Sequence, residues 1–153
     1  MAANSHRALD AADQAIIGQL QEDGRRAYGA IGEAVGLSEG AVRQRVARLV
    51  SGDVIKIVAI TDPAMLGLRM RATVGIHVDG SVQAVADALD PLPEVDYVVS
   101  TAGRFDLLVE VQCAGEERFF ELLDGTIRTL PGVVATETFV YLKLHKQTYP
   151  WPP

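Results

Sequence analysis

The chain has 153 residues, of which 48% are hydrophobic, 22% charged and 6% aromatic, with a formal net charge of −6. That length suits one ordinary domain or two small ones. No uninterrupted apolar run approaches the ~18 residues of a membrane span.

Met1 to Arg7 is polar with no apolar segment behind it, so no secretory signal is legible and the chain reads as soluble and cytoplasmic. Cys113 is the single cysteine, which excludes an intrachain disulfide framework and a cysteine zinc cage. His6, His77 and His145 are too far apart for a short metal-ligand spacing. No metal, cofactor or catalytic residue is expected. Charge is uneven along the chain. Residues 24–56 carry six basic side chains (Arg25, Arg26, Arg43, Arg45, Arg48, Lys56) against three acidic ones, whereas residues 63–153 carry seven against twelve. A locally basic stretch in an acidic protein points to an anionic partner at one place.

The front third reads as three helices. Asp10 can cap the first, and Leu9, Ala12, Ile16 and Leu20 form its apolar stripe before Asp23-Gly24 ends it. Tyr28, Ile31 and Val35 mark a short second helix. Gly36 permits a left-handed turn and Ser38 caps a third helix over about Glu39–Ser51, with Val42, Val46, Leu49 and Val50 inward. Three short helices, the last two joined by a tight turn, are the pattern of a helix-turn-helix. Asp53 to Pro63 reads as a connector with strand character.

The rear alternates strand and helix. Arg71–Val78 predicts a strand, Ser81–Leu89 a helix, Val95–Ala102 and Phe105–Gln112 a hairpin about Gly103-Arg104, Glu116–Leu130 a helix with Phe119 and Phe120 inward, and Val134–Leu144 a last strand. The order βαββαβ is that of a ferredoxin-like plait. The expected fold class is α+β. A helix-turn-helix (winged-helix-like) unit spans 1–53, a connector strand and hinge 54–68, the ferredoxin-like unit 69–146 and a Pro-rich tail 147–153. Trp151 in that tail is a candidate for docking on a neighbouring subunit.

At 100° per residue, the side of the third helix opposite its buried stripe carries Gly40, Gln44 and Ala47, with Arg43 and Arg48 beside them. A major groove admits one helix, and glutamine can bond N6 and N7 of adenine. Gln44 is therefore the candidate base reader, small Gly40 and Ala47 allow close approach, and Arg43 and Arg48 can meet guanine or phosphate. Ser38 opens the helix, and Arg25 and Arg26 lie where a helix-turn-helix meets the sugar-phosphate backbone. The bland alternative is that these arginines only solvate a helix face. Arg45, nearer the core edge, is equally suited to an internal ion pair.

The order of residues then becomes specific. Leu9-Asp10, Asp13, Ile16-Ile17, Leu20-Gln21-Glu22-Asp23-Gly24-Arg25, Val35-Gly36-Leu37-Ser38, Arg45-Val46 and Asp62-Pro63 together resemble the Lrp/AsnC (feast/famine) transcription regulators. Gly103-Arg104-Phe105-Asp106 resembles that family's Gly-x-aromatic-Asp loop, and Pro131-Gly132-Val133 with Thr136 and Thr138 its last turn and strand. The resemblance covers about residues 9–145. It implies a sequence-specific DNA-binding regulator, not an enzyme, whose partners are double-stranded DNA and a small effector, usually an amino acid. It further implies a homodimer assembling to a higher oligomer, an octamer or related ring.

Carried over, the effector site comprises Thr101, Gly103, Arg104, Phe105 and Asp106, with Thr136 and Thr138 as second contributors. Asp106 would accept the ligand's ammonium. A polar hairpin whose aspartate bonds its own turn amides explains the same residues. Asp53 replaces a usual glycine, Gly32 replaces a better helix former, and Ala102 replaces a common hydroxyl. A siroheme-decarboxylase-like enzyme and a small-molecule sensor without DNA binding are the rival readings. A lone strand histidine such as His77 is a structural or interfacial residue more often than a ligand, and Cys113 reads as an ordinary thiol. The sheet face without helices, with Tyr97, Val99 and Leu107 or their alternates, needs covering.

Overall fold

The computed structural model describes residues 8–147; the Pro-rich tail from Thr148 on, with Trp151, lies outside the described residues, as do residues 1–7. The described chain divides into two compact units, residues 8–60 and residues 61–146.

The first unit is built from α1 (Ala11–Glu22), α2 (Tyr28–Val35) and α3 (Glu39–Ser51). Asp10 Oδ1 accepts from the Asp13 amide at 2.8 Å and Ser38 Oγ from the Ala41 amide at 3.2 Å, so both caps expected from the sequence form. Ile16, Ile31, Val42 and Val46 make the core, with Leu20, Tyr28, Val35, Leu37 and Ile55 packed on it. The turn between α2 and α3 passes through Gly36 at φ 72°.

Gly32 is more than a weak helix former. A Cβ there would lie 2.5 Å from the Leu37 carbonyl oxygen, so the turn closes only because the position carries no side chain. Asp53 takes φ 54°, the left-handed conformation that Asp tolerates among the L residues.

The connector strand expected from residue 54 onward is not formed. Residues 54–60 have extended apolar character but find no ladder partner among the described residues, and a strand requires one. Only Ile55 turns onto the helical core, while Val54, Ile57, Val58 and Ile60 stay exposed.

The second unit opens with a 3-10 turn at Pro63–Leu66, capped by Asp62, that the sequence pattern did not suggest. It continues with β1 (Met70–Val78), α4 (Val82–Leu89), β2 (Val95–Ser100), β3 (Leu107–Cys113), α5 (Glu116–Gly125) and β4 (Val133–Val140). The strands form one antiparallel sheet in the order β2-β3-β1-β4, the ferredoxin-like arrangement. Ala72, Val74 and Ile76 of β1 and Leu107, Val109 and Val111 of β3 face the helices, where Val85, Leu89, Phe119, Leu122 and Ile127 cover them. Cys113 is buried at the end of β3.

Further expectations need correction. α5 ends at Gly125 and Ile127–Thr129 form a separate 3-10 turn; the buried stripe of α5 runs through Phe119, Leu122 and Leu123, which leaves Phe120 on the exposed side. β4 stops at Val140, so Leu142 and Leu144 are exposed outside the sheet. β3 begins at Leu107, not at Phe105. Leu107 faces the core, leaving Leu108 to share the open sheet face with Val99, its register partner.

Candidate functional site

α3 is held against α1 by charge as well as by its apolar stripe. Asp13 is buried at 5% exposure, and a buried carboxylate must be paired. Arg45 Nη1 donates to Asp13 Oδ1 at 2.7 Å and to Asp10 Oδ2 at 2.7 Å, and Arg48 Nη2 donates to Asp13 Oδ1 at 2.9 Å. Arg45 therefore makes the internal ion pair. The Arg45 hydrogen bond, followed by that from the Asp13 amide, holds the Asp10 carboxyl below the usual carboxylate range. The same carboxylates raise the pKa of Arg45.

This clamp turns Gly40, Gln44 and Ala47 outward, and all three are exposed along one row. Arg43, on one flank, pairs with Glu39 at 2.5 Å, and its guanidinium stands 5.7 Å from the Tyr28 ring centroid. Arg48, on the other, is half exposed despite its bond to Asp13. Arg26 Nη1 donates to Gln19 at 2.5 Å and to Glu22 at 3.1 Å. Arg25 is exposed, and its guanidinium makes no ion pair among the described residues. Surface pairs such as Arg43–Glu39 are worth ~0–1 kcal/mol, so an anionic partner can exchange with the glutamate at little cost. The Ser38 hydroxyl is already engaged as the cap of α3. The resulting surface is a helix with the amide of Gln44 at its centre, small residues above and below it, and cations at its margins.

The loop between β2 and β3 holds the second group of candidate residues. Thr101 Oγ1 donates to the Phe105 carbonyl at 2.5 Å, and the Thr101 amide to the Asp106 carbonyl at 3.0 Å. Asp106 fastens this loop to β1: its amide donates to the Ile76 carbonyl at 3.0 Å, and its Oδ2 accepts from the Val78 amide at 2.8 Å. That bond falls where the β1–β4 register slips between His77 and Val78. One Asp106 oxygen thus serves the backbone of β1, not the amides of its own turn that the polar-hairpin reading expects.

Phe105 lies on the sheet face that carries no helices. A Cβ on Gly75 would meet the Phe105 ring at 2.7 Å, so the missing side chain makes the seat. The ring centroid is 5.1 Å from that of His77 and 6.1 Å from that of Phe139. Arg104 sits 5.4 Å over the Phe105 ring and pairs with Glu137 at 2.8 Å.

The seven residues expected around an effector are therefore divided. Thr101, Gly103, Arg104, Phe105 and Asp106 come together. Thr136 and Thr138 are register partners of Ile76 and Val74, so they share the helix-covered face, opposite to Phe105. Thr136 Oγ1 instead accepts from Arg128 Nε at 3.0 Å. Sequence reasoning missed His77, Glu137 and Phe139 as companions of Phe105. Strand alternation carries the signal, because 137 and 139 are the odd positions of β4, but only the register shows which parity meets the loop.

Comparison with known proteins covers both units. Residues 9–50 match the AsnC-type helix-turn-helix domain, and residues 61–152 match a C-terminal dimeric alpha+beta barrel domain of the AsnC regulator type. The HTH-type transcriptional regulator FL11 of Pyrococcus horikoshii is 36% identical over 146 residues, covering 94% of this chain and 96% of that protein. The leucine-responsive regulatory protein of Haemophilus influenzae is 31% identical over 148 residues, with 94% and 89% covered. Among solved structures, the leucine response regulatory protein of Mycobacterium tuberculosis superposes with a TM-score of 0.85 at 28% identity, covering 95% of this chain and all of that one.

Proposed function

Because the chain belongs to the Lrp/AsnC family of helix-turn-helix transcription regulators, we propose that α3 enters the major groove of its operator with Gln44 against a base edge, and that an amino acid bound to the α/β unit modulates this binding. The observation that carries the reading is the clamped geometry of α3. Asp13 fixes two arginines on the α1 side, and Gly40, Gln44 and Ala47 are left exposed on the far side.

Gly40 and Ala47 let the helix axis approach the groove, and Arg43 and Arg48 meet phosphate or guanine at its margins. Arg25 and Arg26 add contacts to the sugar-phosphate backbone. The protein works as a homodimer, since two helices ~34 Å apart read two half-sites on one face of the duplex. Dimers assemble further, up to an octamer, in the cytoplasm where the DNA is.

The effector reading draws support from the response to leucine in the name of the Haemophilus relative and from the loop at residues 101–106. Arg104 and the backbone near Gly103 supply donors, Phe105 supplies an apolar wall, and the Asp106 oxygen not bonded to Val78 is an ammonium acceptor. A ligand there alters DNA binding only through different affinities for two assembly states.

Gel shifts on fragments upstream of the protein's own gene test the reading. Retardation of specific fragments at moderate salt, altered by one of the twenty amino acids, is the expected result. No shift on any fragment at low salt with saturating protein overturns it.

A further inference from the structure

The helical unit carries an apolar groove that the proposed function does not use. It holds about 580 Å³ and is lined by Ile17 and Leu20 of α1 together with most of the connector, residues 54–58 and Ile60. Lys56 is the only charged residue of its lining. Val54, Ile57, Val58 and Ile60 are between 43% and 69% exposed. Aliphatic side chains exposed together to that degree mark a surface that something covers. The carbonyls of residues 55–60 accept no backbone hydrogen bond among the described residues, so the groove also offers acceptors to whatever lies in it.

The chain carries a segment of matching chemistry. Gln147, the last described residue, belongs to the helical unit, although the α/β unit runs up to Lys146. The six residues after it read Thr148-Tyr149-Pro150-Trp151-Pro152-Pro153. They carry no charged side chain, and they include the only tryptophan and three of the seven prolines. Extended at ~3.1 Å per residue, six residues reach about 19 Å, close to the roughly 23 Å of a seven-residue extended connector. Proline has no N–H for a ladder, but its preset φ lets such a segment lie on an apolar groove with little loss of conformational entropy. The tryptophan ring adds apolar area and an indole N–H that can donate to a connector carbonyl. Tethering at Gln147 makes the encounter intramolecular, at an effective concentration of order mM.

We propose that this groove is the docking site of the chain's own Pro-rich tail, with the Trp151 ring covering Ile57 and Val58. The docked tail fastens the end of the chain to the unit that carries α3 and shields the connector from water. The occupant is thus the same chain, and the neighbouring subunit expected from the sequence becomes the rival that the test must exclude.

Trp151 is the only tryptophan, so intrinsic fluorescence of the full chain reports on the tail alone. Docking predicts a blue-shifted emission that acrylamide quenches poorly. Ile57→Glu and Val58→Glu should each move both readouts to those of a solvated indole, with helix content by circular dichroism unchanged because both side chains are partly exposed. Solvated emission from the wild type, or a shielded emission that neither variant moves, overturns the proposal. Oxidation of a chain with Ile57→Cys and Pro152→Cys identifies the source of the tail, since the natural Cys113 is buried. A bridge within one chain, at monomer mass on a denaturing gel without reductant, is the expected result. A bridge at dimer mass assigns the groove to a second copy's tail, and a dimer-mass bridge from Ile57→Cys alone assigns it to a second copy's connector; either overturns the proposal. None of these readouts involves DNA or an effector, so their failure leaves the proposed function standing.

Discussion

The two units use charge in opposite ways. In the helical unit a buried carboxylate, Asp13, holds arginines of the neighbouring helix at 2.7 and 2.9 Å, and electrostatics fixes how α3 is presented. In the α/β unit the hydrogen-bonded ladder fixes the frame, and the cations beside the candidate ligand groups, Arg104 and Arg128, stay on the surface in solvated pairs with Glu137 and Asp124. A fixed helix suits reading a rigid duplex, and exchangeable pairs suit a small ligand that must come and go. The contrast rests on Asp13 more than on any other residue.

Asp13→Ala should therefore have the largest effect. It leaves Arg45 and Arg48 without their buried acceptor, and because both remain partly solvated the expected loss is ~2–3 kcal/mol, below the full figure for a broken buried pair. Urea unfolding of the helical unit measures it, and a loss no greater than that of an exposed pair would erase the contrast.

Gln44→Ala follows, with discrimination at one base position reduced by ~1–3 kcal/mol, while Arg25→Ala weakens all duplexes alike and lowers the salt slope by about one. Competition binding with single-base operator variants separates the two, and equal losses on every sequence for both variants would remove Gln44 from the base-reading role. Ser38→Ala removes the α3 cap and should cost ~1 kcal/mol, seen as a lower melting temperature with base preference unchanged. A change of preference would give the hydroxyl a contact to DNA as well.

The smallest effect is on pH dependence. The Asp10 carboxyl titrates below its ordinary range in the folded state, so its contribution is complete above the unfolded-state value and is lost as pH falls through the folded one. The stability gap between the wild type and Asp10→Asn should be widest at neutral pH and close on acidification. A gap that widens in acid contradicts the pairing with Arg45.

Most of the helical unit is legible in the residues, since caps and a 3.6-residue stripe are local signals. Asp10, Ser38, Val42 and Val46 all act within a turn or two of themselves. The ferredoxin-like order was legible too, because each strand alternates and each helix has one apolar side. What was hidden depends on register and on distant partners. Phe105 looks like the first inward residue of β3, yet Asp106 ties the loop to Ile76 and Val78 and sends the ring to the other face, over Gly75. Thr136 and Thr138 were expected beside it and lie behind the sheet, since a one-residue difference in parity changes the face. The connector from Val54 to Ile60 has a strand's composition without a ladder partner in the described chain, and composition alone cannot supply one.

The central claim is that the outward row of α3 reads bases. Selection of bound duplexes from a random library, run in parallel with the wild type and Gln44→Ala, tests it most directly. A two-fold symmetric motif with adenine enriched at one position of each half-site, lost in the variant while the rest of the motif persists, is the expected result. An identical motif from both proteins, or no enrichment from the wild type, would contradict it.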